Sequence, residues 1–125
     1  RNGTTSFVQL NSYFAAKAQG IINTDASGFT TAANVNSIGV YTAVRRSSTD
    51  TELYKNGSSI DTKVDTSISL PNGNIFILAR NLIGTGAENF STRRFDFAAI
   101  HTGLSDNEAQ DLYDAISTYN TTLNR

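Results

Sequence analysis

The sequence contains no cysteine and no methionine, and it has a single proline, Pro71, among 125 residues. Without cysteine there can be no disulfide framework and no thiolate metal site. The compartment stays open, because extracellular sandwich domains often lack disulfides. Methionine is missing at position 1 as well, where the chain opens Arg1-Asn2-Gly3. That opening is expected of a processed product or of the C-terminal part of a longer polypeptide. Charge is also scarce: 17% of residues are charged and the formal net charge is -1. A chain so nearly neutral has no long-range field to draw in nucleic acid or anionic lipid. No apolar run approaches the roughly 20 residues needed to cross a bilayer, and no charged-apolar-small leader opens the chain. Membrane insertion and nucleic-acid binding are therefore not expected.

Ser, Thr, Asn and Gly are abundant instead. Their hydroxyl and amide groups bond to nearby backbone, which suits short strands joined by many turns. The length fits one domain, residues 1–125. Thr5 to Leu10 has the β-branched and aromatic content of a first strand. Residues 13–20 resemble a helical turn in composition but are short and interrupted by Gly20, and they read as extended or irregular. Ile21-Ile22 precedes a polar loop over residues 23–36. Residues 37–46 form the clearest strand: Ile38, Val40, Thr42 and Val44 share one face, and Tyr41, Ala43 and Arg45 share the other. Asn56-Gly57 between two strand-like runs predicts a type I′ hairpin, since both residues tolerate positive φ. Residues 67–70 read as a short extended piece, and Pro71-Asn72-Gly73 as a turn. Residues 74–80 are a continuous apolar run of strand length, expected to be covered on both faces. Residues 82–89 read as a flexible loop, and residues 93–101 as the last strand.

One helix follows. Ser105-Asp106-Asn107-Glu108 has the S-x-x-E form of a capping box, and Leu104 with Ala109 can add a hydrophobic staple. Ala109, Leu112, Tyr113, Ile116 and Tyr119 follow one helical stripe, which is expected to pack on the chain's own sheet. Asp106, Glu108 and Asp111 place negative charge at the positive end of the helix dipole. Arg125 lies just past the expected end. The predicted class is all-β, an antiparallel β-sandwich carrying one C-terminal α-helix.

Three stretches carry a family resemblance: Leu53-Tyr54-Lys55-Asn56-Gly57, then Ile75 to Asn81, then Phe95 to Tyr113. In this order they resemble the C-terminal half of a LamG-like, concanavalin A-like (lectin–glucanase) jelly roll. In that superfamily a "YvNG" hairpin precedes a further strand, and the last strand runs into a Leu-Ser-x-x-Glu helix start. The likeness covers residues 40–125. The chain departs from it in its shorter length and in Ala79-Arg80, where glycine is common. The ending Tyr119 to Arg125 is similar to helix-terminated versions on bacterial surface and phage proteins.

The resemblance implies a non-catalytic carbohydrate-binding or adhesion module, extracellular or on a virion surface such as a phage fibre. Its partner would be a glycan or host-surface polysaccharide. Sugar recognition typically uses aromatic faces with planar polar groups, and the candidate ligand-binding residues are Tyr41, Arg45, Tyr54 and Asn81. Tyr41 and Arg45 share a strand face by parity. An alternative is a structural assembly or decoration domain that contacts only protein subunits, and a second is the remnant of a glycoside hydrolase or polysaccharide lyase. Asp50 and Glu52 stand two apart, as glucanase carboxylates do. A retaining site needs two carboxyls about 5–5.5 Å apart, and the longer acidic pattern of those enzymes is missing, so they read as turn and surface groups. No enzyme activity is expected. Many LamG-like domains bind Ca²⁺; Asp61, Asp65, Asn72 and Asn74 supply the oxygens such a hard cation takes, but no calcium-loop spacing is present, and no cofactor is expected beyond that possibility. His101, the only histidine, reads as a surface residue, because a zinc site needs further ligands.

Overall fold

A computed structural model describes residues 6–82 and 86–124. Eight strands and one long helix make up its regular structure. Strands β1 (Phe7–Phe14), β2 (Lys17–Thr24) and β3 (Thr30–Ala33) form one antiparallel sheet in that order. Strands β4 (Tyr41–Arg45), β5 (Asp50–Lys55) and β6 (Ser58–Val64) form a second. A small hairpin pairs β7 (Arg80–Leu82) with β8 (Gly86–Glu88). The helix α1 (Asp106–Thr122) closes the chain. The class is therefore mostly antiparallel β with a C-terminal helix. Each sheet is a meander of sequence-adjacent strands.

The Asn56-Gly57 turn forms as its chemistry dictates, with φ of 53° and 77° at the two residues. It sets β5 against β6, and the Asn56 side chain accepts a hydrogen bond from the Val40 amide at 2.9 Å. The β1–β2 hairpin is built differently. Its two turn residues are Ala15 and Ala16, at φ 49° and 61°. Both are left-handed positions where a Cβ is unfavourable. The sequence carries no turn signal there, so the extended reading of residues 13–20 missed the hairpin. The supposed loop over residues 23–36 likewise holds the end of β2, a 3-10 turn (Ala26–Gly28) and β3. Thr30 of β3 donates to the Gly20 carbonyl at 2.9 Å, and Asp61 accepts from the Thr31 amide at 2.6 Å. Strand and side-chain partners distant in sequence thus make a strand out of a polar run.

Pairing register decides what each face of the second sheet meets. Tyr41 lies opposite Lys55, Ala43 opposite Leu53 and Arg45 opposite Thr51. This face turns to the first sheet. A Cβ placed on Gly20 would lie 2.9 Å from that of Ala43 and 3.2 Å from Leu53 Cδ1, so the absent side chain is what lets the layers meet. Thr42 opposite Tyr54 and Val44 opposite Glu52 form the other face, which the helix end covers. Val44, Tyr54 and Ala109 make one buried cluster with Leu104 packed against it. Residues 51–54 of β5 are consequently buried in succession. Each fully buried aliphatic side chain here, such as Leu53 or Val44, contributes about 1.5–3 kcal/mol.

The capping box is present in full: the Ser105 hydroxyl accepts from the Glu108 amide, and the Glu108 carboxylate accepts from the Ser105 amide at 2.8 Å. Of the predicted stripe, Ala109 and Ile116 are buried, Leu112 and Tyr113 half-buried, and Tyr119 is exposed. The helix thus docks by its N-terminal two-thirds, beside β6.

Three expectations are corrected. Residues 37–40 do not join β4 as strand. Residues 74–79 form no strand, and Leu78 sits at φ 63°; Ile75 and Ile77 are each 60% exposed rather than covered. Residues 93–101 pair with no strand either, and Phe95, Phe97 and Ile100 are exposed. Apolar content made both runs look like core strands, but among the described residues no neighbouring strand pairs with them to complete a ladder. Residues 67–70 also carry no strand, and the Pro71-Asn72-Gly73 turn reduces to a bend at Gly73. The expected loop over residues 82–89 contains the β7–β8 hairpin, with residues 83–85 outside the described part. The opening Arg1-Asn2-Gly3 and the final Arg125 also lie outside the described residues.

Candidate functional site

Alternation along β5 puts Glu52 and Tyr54 on the helix side of the sheet, and the capping box puts Asp106 on the first turn directly above them. Arg46 follows the last residue of β4 and reaches into the same place. The Tyr54 hydroxyl bridges Glu52 and Asp106, at 2.7 Å to each carboxylate. Arg46 binds Asp50 through Nε at 2.7 Å, Asp106 through Nη1 at 2.8 Å, and Glu52 through Nη2. Its Nη1 also lies 3.2 Å from the Tyr54 hydroxyl. Glu52 is the buried carboxylate of the set, with its side chain 5% exposed, while Asp106 is largely open to solvent.

The electrostatics follow from these contacts. Hydrogen bonds to Asp50 and Asp106 hold the Arg46 guanidinium firmly protonated. Burial, then hydrogen bonding to Glu52 and Asp106, raises the Tyr54 phenol well above its ordinary range. Hydrogen bonds from Tyr54 and then Arg46 keep Asp106 below the usual carboxylate range. The Ser105 backbone amide does the same for Glu108. Every polar group in this cluster is engaged by another. It works as a latch between helix and sheet, and a shallow open depression lined by Arg46, Ser105, Asp106 and Asn107 sits over it.

The four candidate ligand-binding residues are not brought together. Tyr41 and Arg45 do share a face, but it is the one between the sheets. The Arg45 side chain is 6% exposed. Its guanidinium donates to the Ile22 and Asp65 carbonyls, each at 2.7 Å, and lies 3.4 Å from the Asp65 carboxylate. The Tyr41 ring faces the Lys55 ammonium at 5.5 Å, and its hydroxyl accepts from the Asn34 amide at 2.8 Å. Tyr54 is buried in the latch. Asn81 belongs to the separate β7–β8 hairpin and donates to the Asn74 carbonyl at 2.5 Å.

The acidic candidates are similarly engaged. Asp50 and Glu52 bind Arg46. Asp61 caps the Thr31 amide and Asp65 meets Arg45. Among the described residues no group of three His, Asp or Glu side chains gathers as metal ligands. His101 is exposed, with Nδ1 2.6 Å from the Thr102 carbonyl. No described helix is long and apolar enough to cross a membrane.

The sequence reading missed the latch, although the parity of Glu52 and Tyr54 beside a capping-box aspartate was a usable signal. It also missed the open apolar segment. Ten large apolar side chains between Ile68 and Ile100 are exposed among the described residues. No protein-family model, no curated protein and no solved structure matches the chain.

Proposed function

We propose that this chain is a non-catalytic structural module, related to the C-terminal half of a LamG-like jelly roll, that works by contact with protein subunits of an extracellular or virion assembly. The observation that carries this reading is the apolar segment between Ile68 and Ile100. Monomeric soluble proteins rarely expose contiguous apolar patches beyond a few hundred Å², and side chains such as Ile75, Ile77 and Ile100 stand mostly in solvent. Four of the five charged residues in this stretch are tied up in pairs within it, Arg80 with Glu88 and Arg94 with Asp96, which suits a protein interface more than a sugar site. Relatedness to the jelly roll draws support from the order of the Asn-Gly hairpin and the capped terminal helix. Glycan recognition by Tyr41, Arg45, Tyr54 and Asn81 is less favoured, because Arg45 and Tyr54 are committed to interior contacts and the half-buried Tyr41 is engaged by Asn34 and Lys55.

A photo-activatable cross-linker at Ile77, used in the native assembly, tests the reading alongside a glycan array. Cross-links to protein and a blank array are the expected result. Saturable binding to a saccharide with no protein cross-link would overturn it.

A further inference from the structure

Where glycine follows asparagine, the glycine nitrogen can attack the asparagine side chain, because no Cβ shields it. The chain has three such pairs, Asn2-Gly3, Asn56-Gly57 and Asn72-Gly73, and the fold treats the two described ones in opposite ways. Asn56 is locked. It holds φ 53° in the hairpin turn, its amide donates to the Val40 carbonyl at 2.8 Å, and its side-chain oxygen accepts from the Val40 amide at 2.9 Å. Gly57 after it is crowded: a Cβ there would lie 3.0 Å from Gln110 Cα. Attack at this pair must first break the bond from the carboxamide to Val40 and open the turn. Asn72 is open. It and Gly73 are both exposed and belong to no helix or strand, and among the described residues nothing is hydrogen-bonded to either. Apart from chain neighbours, the nearest atom to a Cβ placed on Gly73 is Asn81 Nδ2 at 3.4 Å, an ordinary contact distance.

We propose that Asn72 is a site of spontaneous deamidation, selected over Asn56 by the fold, with water as the co-reactant. The Gly73 backbone nitrogen attacks Asn72 Cγ and forms a C–N bond. The Cγ–Nδ2 bond breaks, and Nδ2 leaves as ammonia with the proton that the Gly73 nitrogen gives up. The product is a cyclic succinimide. Water adds to one of its two carbonyl carbons and breaks the bond from that carbon to the Gly73 nitrogen, which regains a proton. Opening at Cγ leaves aspartate on a normal backbone. Opening at the main-chain carbonyl leaves isoaspartate, in which the chain continues through the side chain. Nothing is oxidised or reduced. No charged residue stands between positions 66 and 79, so the new carboxylate is the lone charge of that stretch. It makes the chain one unit more negative than its formal -1. Isoaspartate also lengthens the backbone just before Asn74, whose carbonyl accepts from Asn81 at 2.5 Å. The modification does not rest on the assembly reading, but it falls within the segment that reading assigns to protein contacts.

The full 125-residue chain, held folded at mildly alkaline pH, is followed by ion-exchange chromatography and peptide mapping. A growing fraction should elute one charge more acidic, with aspartate and isoaspartate at position 72. Reaction at Asn56 should be slower by about tenfold or more, because it waits on local opening of the hairpin. In urea, where the hairpin is gone, the two sites should react at closely similar rates. Asn72→Gln should remove the position-72 products, since glutamine needs a larger and slower-forming ring. Gly73→Ala should slow them by placing a Cβ beside the attacking nitrogen. Both substitutions should leave the melting curve unchanged. A folded chain that stays unmodified at position 72, equal rates at Asn56 and Asn72 in the folded chain, or products confined to Asn2-Gly3 would overturn the proposal. So would a preference for Asn72 that persists undiminished in urea, since the selection would then lie in the local sequence and not in the fold.

Discussion

Tyr54→Phe removes one oxygen from the middle of the latch and leaves everything else in place. The ring stays packed against Val44, Ala109 and Leu104, so no cavity beyond the hydroxyl arises. The hydroxyl gives short contacts to two carboxylates, Glu52 and Asp106, at 2.7 Å each. A hydrogen bond to a charged group is worth about 1.5–3 kcal/mol. Only the Glu52 bond is sheltered; the Asp106 carboxylate is largely exposed and water replaces its lost partner. The Glu52 carboxylate, in contrast, keeps only Arg46. The expected loss is therefore that of one buried charged hydrogen bond, about 2 kcal/mol. At about 3–5 °C per kcal/mol for a domain of this size, the melting temperature should drop roughly 6–10 °C. Urea unfolding should show a lower midpoint with an unchanged slope, because the surface exposed on unfolding is the same. A double-mutant cycle with Glu52→Gln should give a coupling above about 1 kcal/mol. A loss under about 0.5 kcal/mol with no coupling would refute the latch as the link between helix and sheet.

Other perturbations test separate parts of the structure. Replacing Ala15 with Asn and Ala16 with Gly relieves two left-handed alanines and should raise stability by about 1–2 kcal/mol in the same urea assay. Gly57→Ala should cost about 2 kcal/mol or more by melting, because position 57 holds φ 77° and a Cβ there would lie 2.5 Å from Gln110 Oε1 and 3.0 Å from its Cα. Asp106 and Glu108 have folded-state affinities for protons below their ordinary values of 3.8 and 4.5. The stability they contribute is therefore present above those values and is lost as pH falls below them, so a stability–pH profile should decline from about pH 4.5 downward. Asp106→Asn together with Glu108→Gln should flatten that decline. Tyr54 shifts the other way: its neutral form is favoured in the fold, so above its ordinary value of 10.0 the unfolded chain loses a proton first and stability falls. Its phenolate absorbance should emerge only with unfolding, and Tyr54→Phe should abolish that component.

What could be read from the sequence was local chemistry with a fixed geometric result. Asn56-Gly57 dictates a hairpin by its backbone freedom, and Ser105 to Glu108 dictates a helix start by two reciprocal bonds. The alternation of Tyr41 to Arg45 was also legible, and it sorted the two faces of β4 correctly. Parity could not say which face meets the helix and which meets a second sheet, since that depends on elements far away in the sequence. Arg45 accordingly looked like a surface group and is buried between the layers, while Tyr41 on the same face is half-buried. The β1–β2 turn was illegible for a different reason: alanine carries no turn signal, and long-range pairing of β2 with β3 holds Ala15 and Ala16 in place against their preference. Residues 74–80 show the reverse failure. Their composition is that of a core strand, but strand formation needs a neighbour, and composition cannot reveal whether one is present.

Hydrogen exchange followed amide by amide on the native chain tests most directly whether β5 is the central strand, covered by a sheet on one side and a helix on the other. The amides of residues 51–54 should be the slowest in the molecule, exchanging only through global unfolding. Those of residues 75–78, which belong to no strand, should exchange quickly. Fast exchange across residues 51–54, or protection at 75–78 matching theirs, would contradict the arrangement.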